Sequence, residues 1–255
     1  METNWGMDEL SFAAACRAVQ EMGRVDQGVG TLGEKTLHAV LKRMIEPNMA
    51  RHEVKLGRYT ADVLNEQGVF EVQTRSVHRL KEKLSALLPY YPVTVVVPVI
   101  ETKWLLNMDS QTGELLQKRK SPKRERPESF LSELVYLKAF LPDPNFSLML
   151  VRLEGEEVRL IAGAGRHAVR KLEFAPTRFL GALPLKTRED YAALIPAGLP
   201  ETFTAQELGR AMGIAKASRS AAANVLCCMD AIRRVDRRGS AYVYSLSRPK
   251  DDGCH

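Results

Sequence analysis

The chain is short of cysteine, and none of its cysteines is spaced for chemistry. Cys16, the neighbours Cys227 and Cys228, and Cys254 are all there are in 255 residues. No pair has C-x-x-C spacing, which argues against a zinc knuckle and against a disulfide framework. Reduced thiols in a cytoplasmic protein are the expectation. A long apolar run is also missing. Tyr91–Ile100 is the most apolar stretch and is too short to cross a bilayer, so no membrane partner is expected. No signal peptide is expected either, because Asp8, Glu9 and Arg17 interrupt the start. Acidic residues are outnumbered, leaving a formal charge of +6 and a pI near 9.2. That balance suits a nucleic-acid partner, and equally a solvated basic surface.

What is present is enough for real cores: 45% of residues are apolar and 27% charged. The length allows one large domain or two modest ones. Asp8–Met22 reads as a helix with an apolar stripe of Leu10, Ala14, Ala15 and Val19. Gly28-Val-Gly30-Thr-Leu-Gly33 matches a dinucleotide fingerprint in letters. A buried strand should precede such a turn, whereas a polar, helix-like stretch does, so a linker is the better reading. The next helix, about Glu34–Met44, buries Leu37, Val40, Leu41 and Met44. Glu34, His38 and Lys42 share another of its faces at i, i+4, i+8, where a surface ion-pair row is the simpler account and phosphate contact the alternative.

A strand near Glu53–Leu56 leads to a hairpin, Tyr59–Arg75 (YTADVLNEQGVFEVQTR), turning at Asn65-Glu66-Gln67-Gly68. Cross-strand numbers then have a constant sum, which sets Asp62 opposite Glu71. Ala61, Val63, Phe70 and Val72 point to a core; Thr60, Asp62, Glu71 and Gln73 form a polar face. Directly opposed carboxylates repel, so something must compensate. Two carboxylates near a strand end, with a backbone carbonyl, suit Mg²⁺ or Mn²⁺. Such an ion can activate water and stabilise a leaving alkoxide. Thr74 or Ser76 should cap a helix to about Leu88, and Tyr91–Ile100 should be a strand covered on both faces.

Hairpins are expected at 104–117, around Asp109–Gly113, and at Ser147–Ile161, around Gly155. A helix is expected at Glu128–Phe140, and a connector at 172–200 with a short helix near Thr187–Leu194. From Glu201 the pattern changes. Thr204-Ala-Gln-Glu207 is a capping box, a second helix should run from Ala217 to Arg233, and Val235–Leu246 reads as strand, basic turn, strand. This resembles a winged helix-turn-helix.

The order helix, strand, strand, strand, helix, strand, with Asp62 on the second strand and Glu71-Val72-Gln73 on the third, resembles the PD-(D/E)XK nuclease superfamily. The resemblance covers about Gly33–Ile100. It implies an α/β fold: a restriction-endonuclease-like mixed sheet flanked by helices, here with an added winged-helix module. It makes Asp62, Glu71 and the Val72 carbonyl metal ligands, with Glu34 orienting a metal-bound water or supporting the site. The motif proline is replaced by Ala61. Gln73 stands where the superfamily has lysine, and an amide can position but not supply charge.

Domains are therefore expected at 1–27 (helical segment), 28–171 (nuclease-like, core 33–100, extension 101–171), 172–200 (connector), 201–248 (winged helix) and 249–255 (tail). Lys118, Arg119, Lys120, Lys123 and Arg124 are candidate phosphate contacts. Lys216, Arg219 and Asn224, at the start of the second helix, are candidate groove contacts, with Arg237 and Arg238 at the wing tip. The expected function is metal-dependent hydrolysis of nucleic acid, DNA before RNA, with a homodimer left open. The alternatives are a non-catalytic DNA-binding regulator and an adaptor that docks a protein through its winged helix. Cys227 and Cys228 are expected to be core neighbours.

Overall fold

The computed structural model of the chain describes residues 6–25, 33–74, 76–163 and 169–247, and of residues 23–25 and 33–35 the backbone alone. The glycine-rich stretch before Gly33 and the 249–255 tail lie outside the described residues. Two helices, α1 (Glu9–Val25) and α2 (Gly33–Ile45), precede a strand meander of β1 (His52–Leu56), β2 (Tyr59–Asn65) and β3 (Gly68–Val72). A 3₁₀ turn, Val77–Leu80, and α3 (Lys81–Leu87) lead to β4 (Val93–Asp109), followed by β5 (Leu115–Lys120). After α4 (Pro127–Phe130) and a 3₁₀ turn at Leu134–Leu137 come two long strands, β6 (Phe146–Ile161) and β7 (Val169–Leu185). The remainder is α5 (Arg188–Ala192), β8 (Phe203–Thr204), α6 (Ala205–Ala211), α7 (Arg219–Cys228), β9 (Ile232–Arg238) and β10 (Ala241–Leu246).

The fold is mixed α/β. One seven-stranded sheet runs β1-β2-β3-β4-β6-β7, with β5 paired to the far part of β4; a three-stranded sheet runs β8-β10-β9. β1–β2 and β2–β3 are antiparallel and β3–β4 parallel, so the chain makes a crossover through α3. Val63↔Phe70, Leu64↔Val69 and Asn65↔Gly68 are partners, the register expected from the turn. Asn65 fixes that turn by accepting the Gln67 N–H at 3.0 Å. The apolar side of the hairpin is also as expected. Val63, Phe70 and Val72 join Leu37, Val40, Leu41 and Met44 of α2, Phe12 and Ala15 of α1, and Met149, Val151 and Leu153 of β6 in one core. The other side of β3 differs from expectation: all five of its residues are buried, Glu71 included.

By contact the chain falls into two compact units. The first gathers Met1–Ser76, Tyr90–Arg126 and Leu148–Pro184; the second gathers Val77–Pro89, Pro127–Ser147 and Leu185–His255. α1, in the expected 1–27 helical segment, shares the first unit's core. The described part of the expected 201–248 winged helix falls in the second unit together with α3 and the Leu134–Leu137 turn.

Five local expectations fail for identifiable reasons. Gly155 is no turn but lies inside β6, where a Cβ would sit 2.3 Å from the Phe174 ring and 2.6 Å from the Ala175 carbonyl. Residues 172–185 are strand rather than connector; β7 ends the strand order, and an edge strand tolerates Pro176 and Pro184. Glu128–Phe140 is not one helix. Leu131, Leu134 and Leu137 are all fully buried at a spacing of three, the 3₁₀ period. Next, α7 stops at Cys228 because Asp230 takes a left-handed conformation (φ 53°) and β9 begins at Ile232. Neither Thr74 nor Ser76 caps α3: the 3₁₀ turn intervenes and Leu80 stands at the cap. The Thr204–Glu207 capping box is present in both directions.

Candidate functional site

The β2–β3 hairpin carries the candidate acids, and α2 lies over its apolar side. The paired ladder ends at Val63↔Phe70, and counting one step on from it sets Asp62 against Glu71. There the ladder changes partners. The Val72 N–H donates to the Asp62 carboxylate at 2.8 Å, while the next N–H, of Gln73, donates across to the Val96 carbonyl of β4 at 2.8 Å. Asp62 thus sits in the seam where β2 leaves β3. Its Oδ2 also lies 3.2 Å from His38 Nε2. Both side chains are partly exposed, 18% for Asp62 and 28% for His38. Glu71, by contrast, is buried at 3% exposure.

The repulsion between opposed carboxylates is therefore offset at least at Asp62 by an N–H and an imidazole. One turn further along α2, Lys42 pairs with Glu53. Glu53 lies on β1 between the Val54↔Ala61 and His52↔Val63 partners and takes φ 52°. The i, i+4 face of α2 looks toward acids, and its bases His38 and Lys42 bond Asp62 of β2 and Glu53 of β1. Glu34 begins the same face in the first turn of α2, and its side chain lies outside the described residues. His38 is the residue that sequence reasoning set aside. Its signal was the four-residue spacing that puts it on the face turned to β2.

No group of three or more His, Cys, Asp or Glu side chains gathers as a metal cage among the described residues. What the hairpin offers is two carboxylates on adjacent strands, the Val72 main chain between them, and an imidazole on one acid. Magnesium keeps several waters and is commonly held by one or two carboxylates, so this donor set suits it. Gln73 is half-buried and tied into β3–β4 by its backbone.

The basic candidates divide. In the first unit, Lys118 is 2.7 Å from the Glu156 carboxylate and 5.8 Å over the Trp104 ring, and Arg124 is 3.2 Å from Glu101. Both expected phosphate contacts are thus neutralised within the fold. Arg119, Lys120 and Lys123 are exposed, with no ion pair among the described residues. Glu101 also takes Arg152, and Glu157 takes Lys103, Arg159 and Lys171, so much of the sheet's positive charge is internally matched.

In the second unit the helix candidates are structural. Arg219 Nε donates to the Ile214 carbonyl at 3.0 Å and its Nη1 to Gln206 at 3.0 Å. Its stem fills the space where a Cβ on Gly209 would stand, 2.2 Å from Cγ. It ties α7 to α6 instead of presenting a fork outward. Asn224 accepts from Arg234 at 3.1 Å. Lys216 is exposed in a 3₁₀ turn ahead of α7. Arg237 and Arg238 are on exposed β9, joined there by Arg233 and Arg234. The sequence pattern places Arg233 at the end of a helix and Arg234 between that helix and the strand, so neither stands out as a strand residue. Cys227 and Cys228 are half-buried, and burial pushes the Cys227 thiol up, which suits packing more than redox chemistry.

No helix among the described residues is long and apolar enough to cross a membrane. No solved structure matches the chain. A protein of Treponema pallidum (strain Nichols), called "Uncharacterized protein", is 30% identical over 186 residues, covering 71% of this chain and 74% of its own. Residues 35–182, which carry α2, the hairpin and the large sheet, match the sequence model of the family described as "Domain of unknown function (DUF8091)", and the chain belongs to that family.

Proposed function

We propose that the protein is a metal-dependent nuclease whose reaction centre is the seam between β2 and β3. The observation that carries this reading is Asp62, held by the Val72 N–H and His38 at the point where the β2–β3 ladder ends, with Glu71 opposite it when the register is counted one step on. The strand order supports it: an antiparallel meander, a helix, then β4 parallel to β3, the arrangement on which the PD-(D/E)XK resemblance rests. Asp62, Glu71 and the Val72 carbonyl would hold Mg²⁺ or Mn²⁺, which supplies Lewis acidity at a phosphate oxygen and a lowered pKa for a bound water.

The chain's own residues do the positioning. The Val72 N–H and the His38 imidazole orient the Asp62 carboxylate, and the buried strand β3 fixes Glu71. Gln73 offers hydrogen bonds to a phosphate without adding charge, so charge stabilisation would have to come from the bound ion. In the second unit, α6, α7 and the β9–β10 hairpin, joined through β8, follow a winged helix-turn-helix order and serve to hold the nucleic acid. DNA is the expected substrate.

Plasmid and branched DNA incubated with Mg²⁺ or Mn²⁺ test the reading. Cutting by the wild type, lost in both Asp62→Asn and Glu71→Gln, supports it; cutting that survives either substitution refutes the site. A second reading, a DNA-binding regulator without catalysis, is favoured by Gln73 and by compensation of Asp62 within the chain. Salt-sensitive binding with no cutting under any metal would select it.

A further inference from the structure

Lys103, Lys118, Arg152, Arg159 and Lys171 of the first unit's sheet are matched by carboxylates, whereas three of the four arginines of β9 have neutral partners. Four arginines, Arg233, Arg234, Arg237 and Arg238, line a strand that is exposed after its first residue. Their partners are mainly neutral. Arg234 and Arg237 lie over the Tyr242 ring at 4.2 and 4.6 Å from its centre. Arg237 donates to the Tyr242 hydroxyl at 2.7 Å, Arg234 to the Asn224 amide at 3.1 Å, and Arg233 to the Ser245 hydroxyl at 3.4 Å. Arg238 alone has a carboxylate, Glu207, at 3.6 Å. The nearby acid Asp236 accepts the Arg237 backbone N–H at 2.7 Å rather than a guanidinium.

Neutral partners orient a guanidinium without cancelling its charge. The strip is thus ordered before any ligand arrives, which lowers the entropic cost of binding an anion. Guanidinium forks suit phosphate geometry, and each neutralised phosphate releases condensed counterions. Over the same stretch, α7 has lost its candidate readers: Arg219 braces α6 and Asn224 holds Arg234.

We infer that the β9–β10 hairpin, through Arg234 and Arg237, which share the Tyr242 face while Arg233 lies with Ser245 on the other, grips the phosphodiester backbone of a nucleic-acid duplex without reading its sequence, and that α7 is its support. This rests on the nucleic-acid reading above and adds which surface binds and how.

The test is fluorescence anisotropy of the full chain with two labelled DNA duplexes of unrelated sequence, in EDTA, across a salt series. Wild type should bind both alike. Arg234→Gln/Arg237→Gln should weaken both by roughly fifty-fold near ~0.1 M salt and reduce the salt slope by about two. Arg178→Gln, which removes an exposed charge from β7 of the first unit, should leave binding as it was. Because Arg234 and Arg237 also brace Tyr242, Arg237→Gln alone serves as a milder variant, expected to cost several-fold with the slope reduced by about one.

Retained affinity in the hairpin variants, a larger loss from Lys216→Ala, strong preference for one duplex, or equal competition by poly-glutamate would each overturn the inference. Cutting that persists with hairpin-independent binding would sink it alone. Absence of duplex binding by the wild type at low salt would sink the nucleic-acid reading with it.

Discussion

Gly68 closes the turn that sets the hairpin register, and replacing it with alanine tests how tightly that register is held. Two costs add there. The backbone has φ 121°, a region left almost wholly to glycine, and forcing a residue with a Cβ into it costs about 1–3 kcal/mol. The new Cβ would also stand 2.3 Å from the Pro92 carbonyl oxygen, and 3.0 and 3.1 Å from Pro92 Cβ and C. No flexible side chain can yield, because the obstacle is the backbone leading into β4. That carbonyl also accepts the Val69 N–H at 2.9 Å, so moving it breaks a bond between the strands. Overpacking of this kind adds about 1–3 kcal/mol.

Gly57, in the turn between β1 and β2, is the natural control: φ is 61° and nothing lies within 4 Å of its Cβ position. Gly57→Ala should cost only about 1 kcal/mol. Gly68→Ala should therefore cost about 1–5 kcal/mol more than Gly57→Ala, a large part of the 5–15 kcal/mol that stabilises a typical domain. Urea unfolding followed by far-UV circular dichroism measures both. If the two variants fell within about 1 kcal/mol of each other, the close approach of Gly68 to Pro92 would be refuted, and with it the rigid register of Asp62 and Glu71.

Two further outcomes follow from the charge networks and the helix pair. Burial pushes the Glu101 and Glu157 carboxyls up, but hydrogen bonds and charge from Arg152 and Arg124, and from Lys103 and Arg159, outweigh it and leave both below the ordinary glutamate value. A depressed folded pKa contributes stability above the unfolded value and loses it as pH falls through the folded one. Urea stability should therefore hold from pH 7 to about 5 and decline below about 4.5. Glu157→Gln should shallow that decline, and an unchanged profile in the variant would remove Glu157 from the account. Arg219→Ala, which loses two hydrogen bonds and the stem packed on Gly209, should destabilise the second unit by about 2 kcal/mol. Arg219→Lys should recover only the stem's part. A melting temperature unmoved by Arg219→Ala would return that residue to the surface.

The residues themselves determined whatever depends on neighbours in the chain. The turn at Asn65–Gly68 set the register, because a two-residue hairpin loop leaves one way for the strands to pair. The spacing of Leu37, Val40, Leu41 and Met44 set the buried face of α2, and Thr204 with Glu207 the start of α6. Asp62 opposite Glu71, and the acid-facing side of α2, were legible for the same reason. Tertiary structure alone decided which partners those groups took: His38 on Asp62, Lys42 on Glu53, Arg219 on Gly209 and Ile214. It also decided that Gly155 is a close approach rather than a turn, and that a proline-bearing segment is an edge strand. A local pattern specifies backbone conformation and which side faces inward. It carries no record of which distant residue will stand there, and charge matching and close packing depend on that residue.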